Sequence, residues 1–188
     1  MIFKRFCAYL IDILIIFSLT FFIDTTFKNE YDLELSILNQ RLFENRIDKK
    51  EYFESYKHLI HESDKKDIGI NIASTVIIII FTVLIPYCMN TTIGYKIFKL
   101  KICSDNVLTK NDLIGRSVLL YGLGFMLFMF MILYIPNDNI YFILINLFSF
   151  LQLLVVIISA FMVLYSYKHL SIADRFTNTR IEEIKWEN

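Results

Sequence analysis

The chain has 188 residues, of which 56% are hydrophobic and 18 are phenylalanine, and its mean hydropathy is +0.52. This apolar content exceeds what a soluble domain of the same length needs for its core, so the composition predicts an integral membrane protein. The 19 basic and 19 acidic residues cancel. The lack of a basic excess argues against a nucleic-acid-binding protein.

Four apolar runs predict an all-α membrane protein with four transmembrane helices. A hydrocarbon layer of about 30 Å takes roughly 20 helical residues, and the runs that are long enough cover residues 6–23, 68–89, 118–135 and 140–167. The sequence Pro-Asn-Asp-Asn at 136–139 is a turn signal, so the last two helices are predicted to be antiparallel neighbours. The whole chain, residues 1–188, is predicted to form a single membrane domain.

The distribution of lysine and arginine predicts the orientation of these helices. Basic residues precede the first run, recur in residues 90–116 and follow the fourth run in residues 168–188, whereas the turn at 136–139 has none. Because basic loops stay on the cytoplasmic side, both termini are predicted to be cytoplasmic. Residues 24–67, with eight basic and eleven acidic residues, then form the outer segment.

The outer segment is predicted to be a helical hairpin, because leucine and tyrosine recur in it at three- and four-residue spacing. Asp48 and Glu51 have the D-x-x-E spacing of a helix start. His58 and His61 lie one turn apart, which suits a pair of metal ligands or a pH sensor. No third ligand has a fixed spacing, so a solvated helix face is the favoured interpretation, and neither a metal site nor a cofactor is predicted.

In the predicted cytoplasmic loop, residues 90–116, lysines alternate with apolar residues between 96 and 102. This pattern is typical of an amphipathic segment that lies against anionic lipid headgroups. Ser104-Asp105-Asn106 is also a turn signal between the short apolar stretches 100–102 and 107–109. A short cytoplasmic β-hairpin is therefore predicted within this loop.

Asp12 is the one carboxylate inside a predicted span. A membrane-inserted acid costs roughly 2.5 to 3.5 kcal/mol, so it usually faces a polar partner or a water-filled space. Arg5, Ala8 and Asp12 follow helical spacing, which places them on one face with Arg5 and Asp12 about 10 Å apart along the axis. The arginine and the aspartate are therefore expected to face the same neighbouring helix.

Two other predicted spans each carry a polar stripe along one face. The stripes consist of Asn71, Ser74, Thr75 and Thr82 in the second span, and of Ser149, Gln152, Ser159 and Ser166 in the fourth. The structural interpretation is hydrogen bonding between helices that approach closely. The functional interpretation is an aqueous path lined by these side chains.

Three stretches together resemble a known family: KRFCAYLID at 4–12, TIGYKIFKLKICSDNVLTKNDLIGRSVL at 92–119, and LSIADRFTNTRI at 170–181. They are similar to the signatures of the RDD family of small bacterial membrane proteins, named for an arginine and two aspartates. The positions that match are Arg5, Ala8, Asp12, Thr92, Gly94, Lys96, Arg116, Asp174, Thr179 and Arg180. The resemblance implies a protein of the bacterial plasma membrane, suspected of transport and in some members of cation/proton exchange.

Transport of ions or small solutes is the first functional hypothesis. Asp12 would be the carboxylate that binds an inorganic cation or a proton, and the polar stripes would line its path. The alternative is a non-transporting assembly or partner-binding module. In that case Arg5, Asp12, Arg116 and Asp174 would form a polar network at the cytoplasmic ends of the helices. Besides the lipid bilayer, the partner would then be a second copy of the chain or another membrane protein.

An enzyme is not expected. The sequence contains no nucleophile with a neighbouring base, no metal-ligand cluster and no glycine loop that would hold a phosphate.

Overall fold

In a computed structural model, which describes residues 2–27, 30–104 and 107–184, the chain is mostly helical. The helices are α1 (Ile2–Thr26), α2 (Glu30–Phe43), α3 (Lys49–Lys66), α4 (Ile68–Ile79), α5 (Ile85–Met89), α6 (Ile93–Ile97), α7 (Lys110–Leu120), α8 (Leu123–Ile132), α9 (Asp138–Tyr165) and α10 (Ile172–Phe176). A π-helical turn at Ile80–Leu84 joins α4 to α5. The two strands are β1 (Leu100–Ser104) and β2 (Thr179–Glu183).

In the part of the chain that the structure describes, three helices are long and apolar enough to cross a membrane: α1, the continuous helix Ile68–Met89, and α9. They correspond to the first, second and fourth predicted spans. On α1 and α9, large apolar side chains are exposed, among them Phe17, Phe21, Leu153 and Phe161. Such faces are expected where a helix meets lipid tails instead of protein.

The predicted third span, residues 118–135, is not one continuous helix. Helix α7 begins earlier, at Lys110, and ends at Leu120, and α8 leaves it at an angle of 76°. Gly122 lies at the break with a φ of 78°, a left-handed conformation that glycine adopts without steric cost. The apolar run therefore continues through a point at which the backbone turns, and only the two helices together are long enough to span a membrane.

The helical hairpin between the first two long helices has the predicted form. Helices α2 and α3 pack against each other, and α3 also packs on α9. Asp48 is the N-cap of α3, and its Oδ1 atom accepts a hydrogen bond from the amide of Glu51 at 2.7 Å. The helix start predicted from the D-x-x-E spacing is thus confirmed.

The predicted β-hairpin within residues 90–116 is wrong in its pairing. Strand β1 pairs antiparallel with β2, and Ile102 lies opposite Ile181. Residues 107–109 form no strand, and Asp105 and Asn106 of the predicted turn lie outside the described residues. The long-range pairing is favoured because Leu100, Ile102 and Ile181 are buried in one apolar cluster, which a local hairpin would leave open to solvent.

We call the end of the molecule that carries the start of α1, both strands, α6, the start of α7 and α10 the lock end. Its core contains Ala8, Val83, Tyr95, Leu100, Ile102, Leu113 and Ile181. A second apolar cluster joins Ile16, Ile78 and Leu123 further along the long helices. A third, of Ile132, Leu133 and Tyr141, lies near α3 at what we call the hairpin end.

Candidate functional site

Asp12 lies on α1 near the lock end, and only 6% of its surface is exposed. Its Oδ2 atom accepts a hydrogen bond from the Thr92 hydroxyl at 2.6 Å, and its Oδ1 atom accepts one from the Gly94 amide at 2.7 Å. Thr92 is also the N-cap of α6, where its Oγ1 atom accepts from the Tyr95 amide at 3.1 Å. Because amides in the first turn of a helix have no intrahelical acceptor, Asp12 satisfies one of them and fastens α6 to α1.

Two small residues allow this close contact. Ala8 is fully buried, and a Cβ atom placed on Gly94 would lie 2.1 Å from the Ala8 carbonyl oxygen and 3.0 Å from Cγ of Asp12. Real Cβ atoms do not approach other atoms so closely, so only glycine fits here without movement of one helix. The small size of Ala8 and Gly94 thus lets α6 approach α1 closely enough to contact Asp12.

The break between α7 and α8 lies beside the same carboxylate. The Tyr121 hydroxyl is 3.4 Å from Oδ2 of Asp12. Tyr9 donates a hydrogen bond to the Leu120 carbonyl oxygen at 2.7 Å, and the rings of Tyr9 and Tyr121 are 5.4 Å apart. Asp12 is therefore surrounded by neutral donors from the start of α6 and from the break after α7.

A second cluster joins Arg5, Arg116 and Asp174. Arg5 donates from Nη2 to Oδ2 of Asp174 at 2.7 Å, and Arg116 donates from Nη1 to Oδ1 of the same carboxylate. The exposed fractions are 5% for Arg5, 3% for Arg116 and 1% for Asp174. Burial opposes the ionisation of Asp174, but the guanidiniums of Arg116 and Arg5 outweigh it and hold the pKa of this carboxyl below its usual range.

Further hydrogen bonds fix both arginines in place. Arg5 donates from Nη1 to the His169 carbonyl oxygen at 2.5 Å, and Arg116 donates from Nη1 to the Thr179 hydroxyl at 2.6 Å. The Thr179 hydroxyl is in turn 2.9 Å from that of Thr177. The cluster therefore ties α1 and α7 to the polypeptide on both sides of α10.

The local sequence around α10 explains how Asp174 reaches this position. Ser171 is the N-cap of α10, and Ser171 and Asp174 form a capping box in which each side chain accepts from the other's amide. Gly115 in α7 lets the two helices approach, since a Cβ atom there would lie 2.8 Å from Cγ2 of Thr177. Asp174 thus both caps α10 and accepts from two buried guanidiniums.

The predicted site residues fall into two clusters, and one lies outside both. Arg5, Arg116, Asp174 and Thr179 form one, and Ala8, Asp12, Thr92 and Gly94 form the other. Arg180 lies on the surface and donates from Nε to Glu182 at 2.6 Å. Arg5 and Asp12 do lie on the buried face of α1, but they contact different elements.

Some residues of these clusters escaped the sequence analysis. Tyr121, which faces Asp12, carries no local signal, because its contact depends on the bend after α7. Ser171 does carry one, since its spacing from Asp174 is that of a capping box, S-x-x-D. That pattern alone would have predicted a helix start at this point.

The polar stripes make contacts between helices. The Thr82 hydroxyl lies 2.6 Å from that of Ser117 in α7, and Gln152 donates to the Leu119 carbonyl oxygen at 2.9 Å. These contacts have the form expected of interhelical hydrogen bonding. Within the described part of the chain, the buried hydroxyls of Ser159 and Ser166 have no hydrogen-bond partner.

At the hairpin end, the interpretation of a solvated histidine face is wrong for His61, which is fully buried. Its Nε2 atom is 2.8 Å from the Leu133 carbonyl oxygen, its Nδ1 atom is 2.6 Å from Oδ1 of Asp138, and its ring stacks on Tyr141. His58 is exposed and contacts the other oxygen of Asp138 at 2.9 Å. Across residues 2–27, 30–104 and 107–184, no group of three or more His, Cys, Asp or Glu side chains is placed to hold a metal ion.

The long apolar helices and the buried charges at one end define an α-helical membrane protein. The model of the RDD family matches residues 1–178, and the chain belongs to this family. The resemblance of the three sequence stretches is thereby confirmed. No curated protein and no solved structure matches the chain significantly.

Proposed function

We propose that this protein is a non-transporting assembly module of the bacterial plasma membrane. In this proposal the buried charges hold the cytoplasmic ends of the helices in one arrangement, and the hairpin on the outer side meets a partner. The observation that carries the proposal is that both carboxylate oxygens of Asp12 accept hydrogen bonds from α6.

The donors around Asp12 support a structural role. A bound cation needs oxygen atoms that present lone pairs, whereas the Gly94 amide and the Thr92 hydroxyl point protons at Asp12. A cation would have to displace these donors and would leave the first turn of α6 without its acceptor. In this arrangement Asp12 therefore accepts hydrogen bonds from α6 and does not bind an ion.

Asp174 supports the same role at the neighbouring cluster. It accepts from Arg5, from Arg116 and from the Ser171 amide. With these three donors around it, the carboxylate compensates charge inside the protein. Both family aspartates thus hold helices together.

The hairpin supplies a surface for a partner. Leu33, Ile37, Phe43 and Phe53 of α2 and α3 are exposed, and they lie outside the helices long enough to span a membrane. In the predicted topology the hairpin lies on the outer side of the membrane, where a partner protein would cover these side chains. The partner would be a second copy of the chain or another membrane protein.

Flux measurements in proteoliposomes test the proposal. We expect no proton, sodium or potassium flux above that of protein-free liposomes on either side of neutral pH, and we expect Asp12→Asn to lower the melting temperature. Flux through the wild-type protein that is lost in folded Asp12→Asn protein would overturn the proposal. A flux that is identical in both proteins would also overturn it and would exclude Asp12 as the site.

Ion or small-solute transport, with cation/proton exchange centred on Asp12, is the second candidate. The observation in its favour is that Asp12 lies in a long apolar helix beside the hydroxyls of Thr92 and Tyr121, while Arg5 is engaged with Asp174. Ionisable groups in such positions commonly mark ion or proton pathways. The same flux measurement separates the two candidates.

A further inference from the structure

A cavity of about 520 Å³ opens at the lock end, next to the pair formed by Arg5 and Asp174. Its lining is strongly basic, because among the described residues that line it four are cations and Asp174 is the one anion. The cations are Arg5, Lys168, Arg175 and Arg180. Such a concentration of positive charge around one concave surface favours an anionic ligand.

Two of these cations have no partner among the residues that the structure describes. Arg5 donates to Asp174, and Arg180 donates to Glu182. Lys168 and Arg175 are exposed, and neither side chain makes a hydrogen bond or ion pair with any residue that the structure describes. They therefore present one ammonium and one guanidinium to whatever enters the cavity.

The cluster that supplies Arg5 and Asp174 to the lining also contains Arg116, which is not itself a lining residue. Arg5 and Arg116 are both buried against the single carboxylate of Asp174, so this cluster holds one positive charge more than it neutralises. Asp12 does not join it, because its carboxylate is engaged by Thr92 and Gly94. Excess buried charge is costly, and an anion in the cavity would offset it.

We propose that this cavity binds a phosphate group. A guanidinium and an ammonium in one cavity are groups that proteins use to hold phosphate oxygens. The cavity lies where α1 begins and α9 ends, which the basic loops place at the level of the cytoplasmic headgroups. The phosphate belongs either to the headgroup of an anionic lipid or to a small phosphate ion in the cytoplasm.

The test uses the full-length protein and its Lys168→Gln/Arg175→Gln variant. The matched control is Lys49→Gln/Lys50→Gln, which removes the same charge. Both lysines are exposed in the first turn of α3, in the hairpin and away from the cavity lining. Melting in sodium chloride verifies that each variant is folded.

In one arm, the melting temperature is measured in zwitterionic detergent with increasing inorganic phosphate against sodium chloride of equal ionic strength. In the other arm, it is measured in nanodiscs of phosphatidylcholine with and without phosphatidylglycerol. Stabilisation by phosphate that weakens on the order of tenfold in the cavity variant, and not in the control, identifies a free phosphate ion. Stabilisation by phosphatidylglycerol alone, lost in the same variant, identifies a lipid headgroup.

The proposal is overturned if the cavity variant and the control respond equally in both arms. This test measures the melting temperature and does not depend on ion flux across a membrane. A negative result here therefore leaves the assembly role untouched, and a transport result in proteoliposomes leaves the phosphate site untouched.

Discussion

Replacing Asp174 by asparagine removes the carboxylate that bridges Arg5 and Arg116 while keeping the size of the side chain. Both guanidiniums then stay buried without a counter-charge, and breaking a buried ion pair in this way costs about 3–5 kcal/mol. The three side chains are between 1% and 5% exposed, so water does not screen the loss. The asparagine oxygen still accepts from the Ser171 amide, which at present reaches Oδ2 at 2.9 Å. We therefore expect a loss near 3 kcal/mol.

The assay is unfolding in mixed micelles by titration with sodium dodecyl sulfate, followed by circular dichroism. Glu183→Gln is the control, because it removes a carboxylate from an ion pair with Lys4 whose side chains are 44% and 49% exposed, and such pairs contribute little. Arg5→Gln should cost less than Asp174→Asn, since Arg116 keeps its partner. An Asp174→Asn protein that unfolds at the wild-type midpoint would refute the reasoning. So would an Arg5→Gln protein that is less stable than Asp174→Asn.

Three further changes test other contacts. Gly94→Ala should destabilise the protein by about 1–3 kcal/mol, because its Cβ would lie 2.1 Å from the Ala8 carbonyl oxygen, whereas Gly69→Ala meets nothing within 4 Å; equal melting temperatures would contradict this. Gly122→Ala should cost about 1–2 kcal/mol of stability, since φ is 78° at that position. Gly124→Ala is the comparison for steric crowding without this backbone strain, because its Cβ would lie 3.0 Å from Val118. Asp64→Asn should leave stability at neutral pH equal or higher. Burial raises the pKa of Asp64 in the folded protein. Wild-type stability therefore falls as the pH rises from the ordinary pKa of aspartate through that raised pKa, and the asparagine variant avoids this loss. The asparagine oxygen can still accept from Tyr141, which now donates to Asp64 at 2.5 Å, and a pH titration of the melting temperature that is unchanged in Asp64→Asn would count against this account.

Features that depend on neighbours in the sequence were predictable. The apolar runs predicted the long helices α1, Ile68–Met89 and α9, because a bilayer sets the length of an apolar helix. The start of α3 was predictable from Asp48 and Glu51, whose contact lies within one turn. In each case the signal and the structure lie in the same short segment.

Features that depend on distant segments were not predictable from the sequence alone. Strand β1 carries a turn signal on its C-terminal side, yet it pairs with β2, and Cys103 lies opposite Arg180. The bend at Gly122 could not be predicted from hydropathy, because the apolar run continues through it without interruption. His61 resembles a surface histidine in its polar segment, and only the packing of α3 on α9 buries it.

The candidate site lies between these cases. Helical spacing correctly placed Arg5 and Asp12 on one face of α1, and both are buried. Their partners could not follow from spacing, because Thr92 and Asp174 reach them from other parts of the chain. The expectation that both would face the same helix therefore missed the division into two clusters.

The sequence distance across the lock end has a consequence for biogenesis. Asp12 and Thr92 are 80 residues apart. At a synthesis rate of about 5–20 residues per second, Thr92 is therefore made roughly 4–16 s after Asp12. Arg5 and Asp174 are 169 residues apart, so Asp174 is made roughly 8–34 s after Arg5. During this interval the newly inserted α1 carries two ionisable side chains without their final partners. Both are satisfied only after α10 has been synthesised.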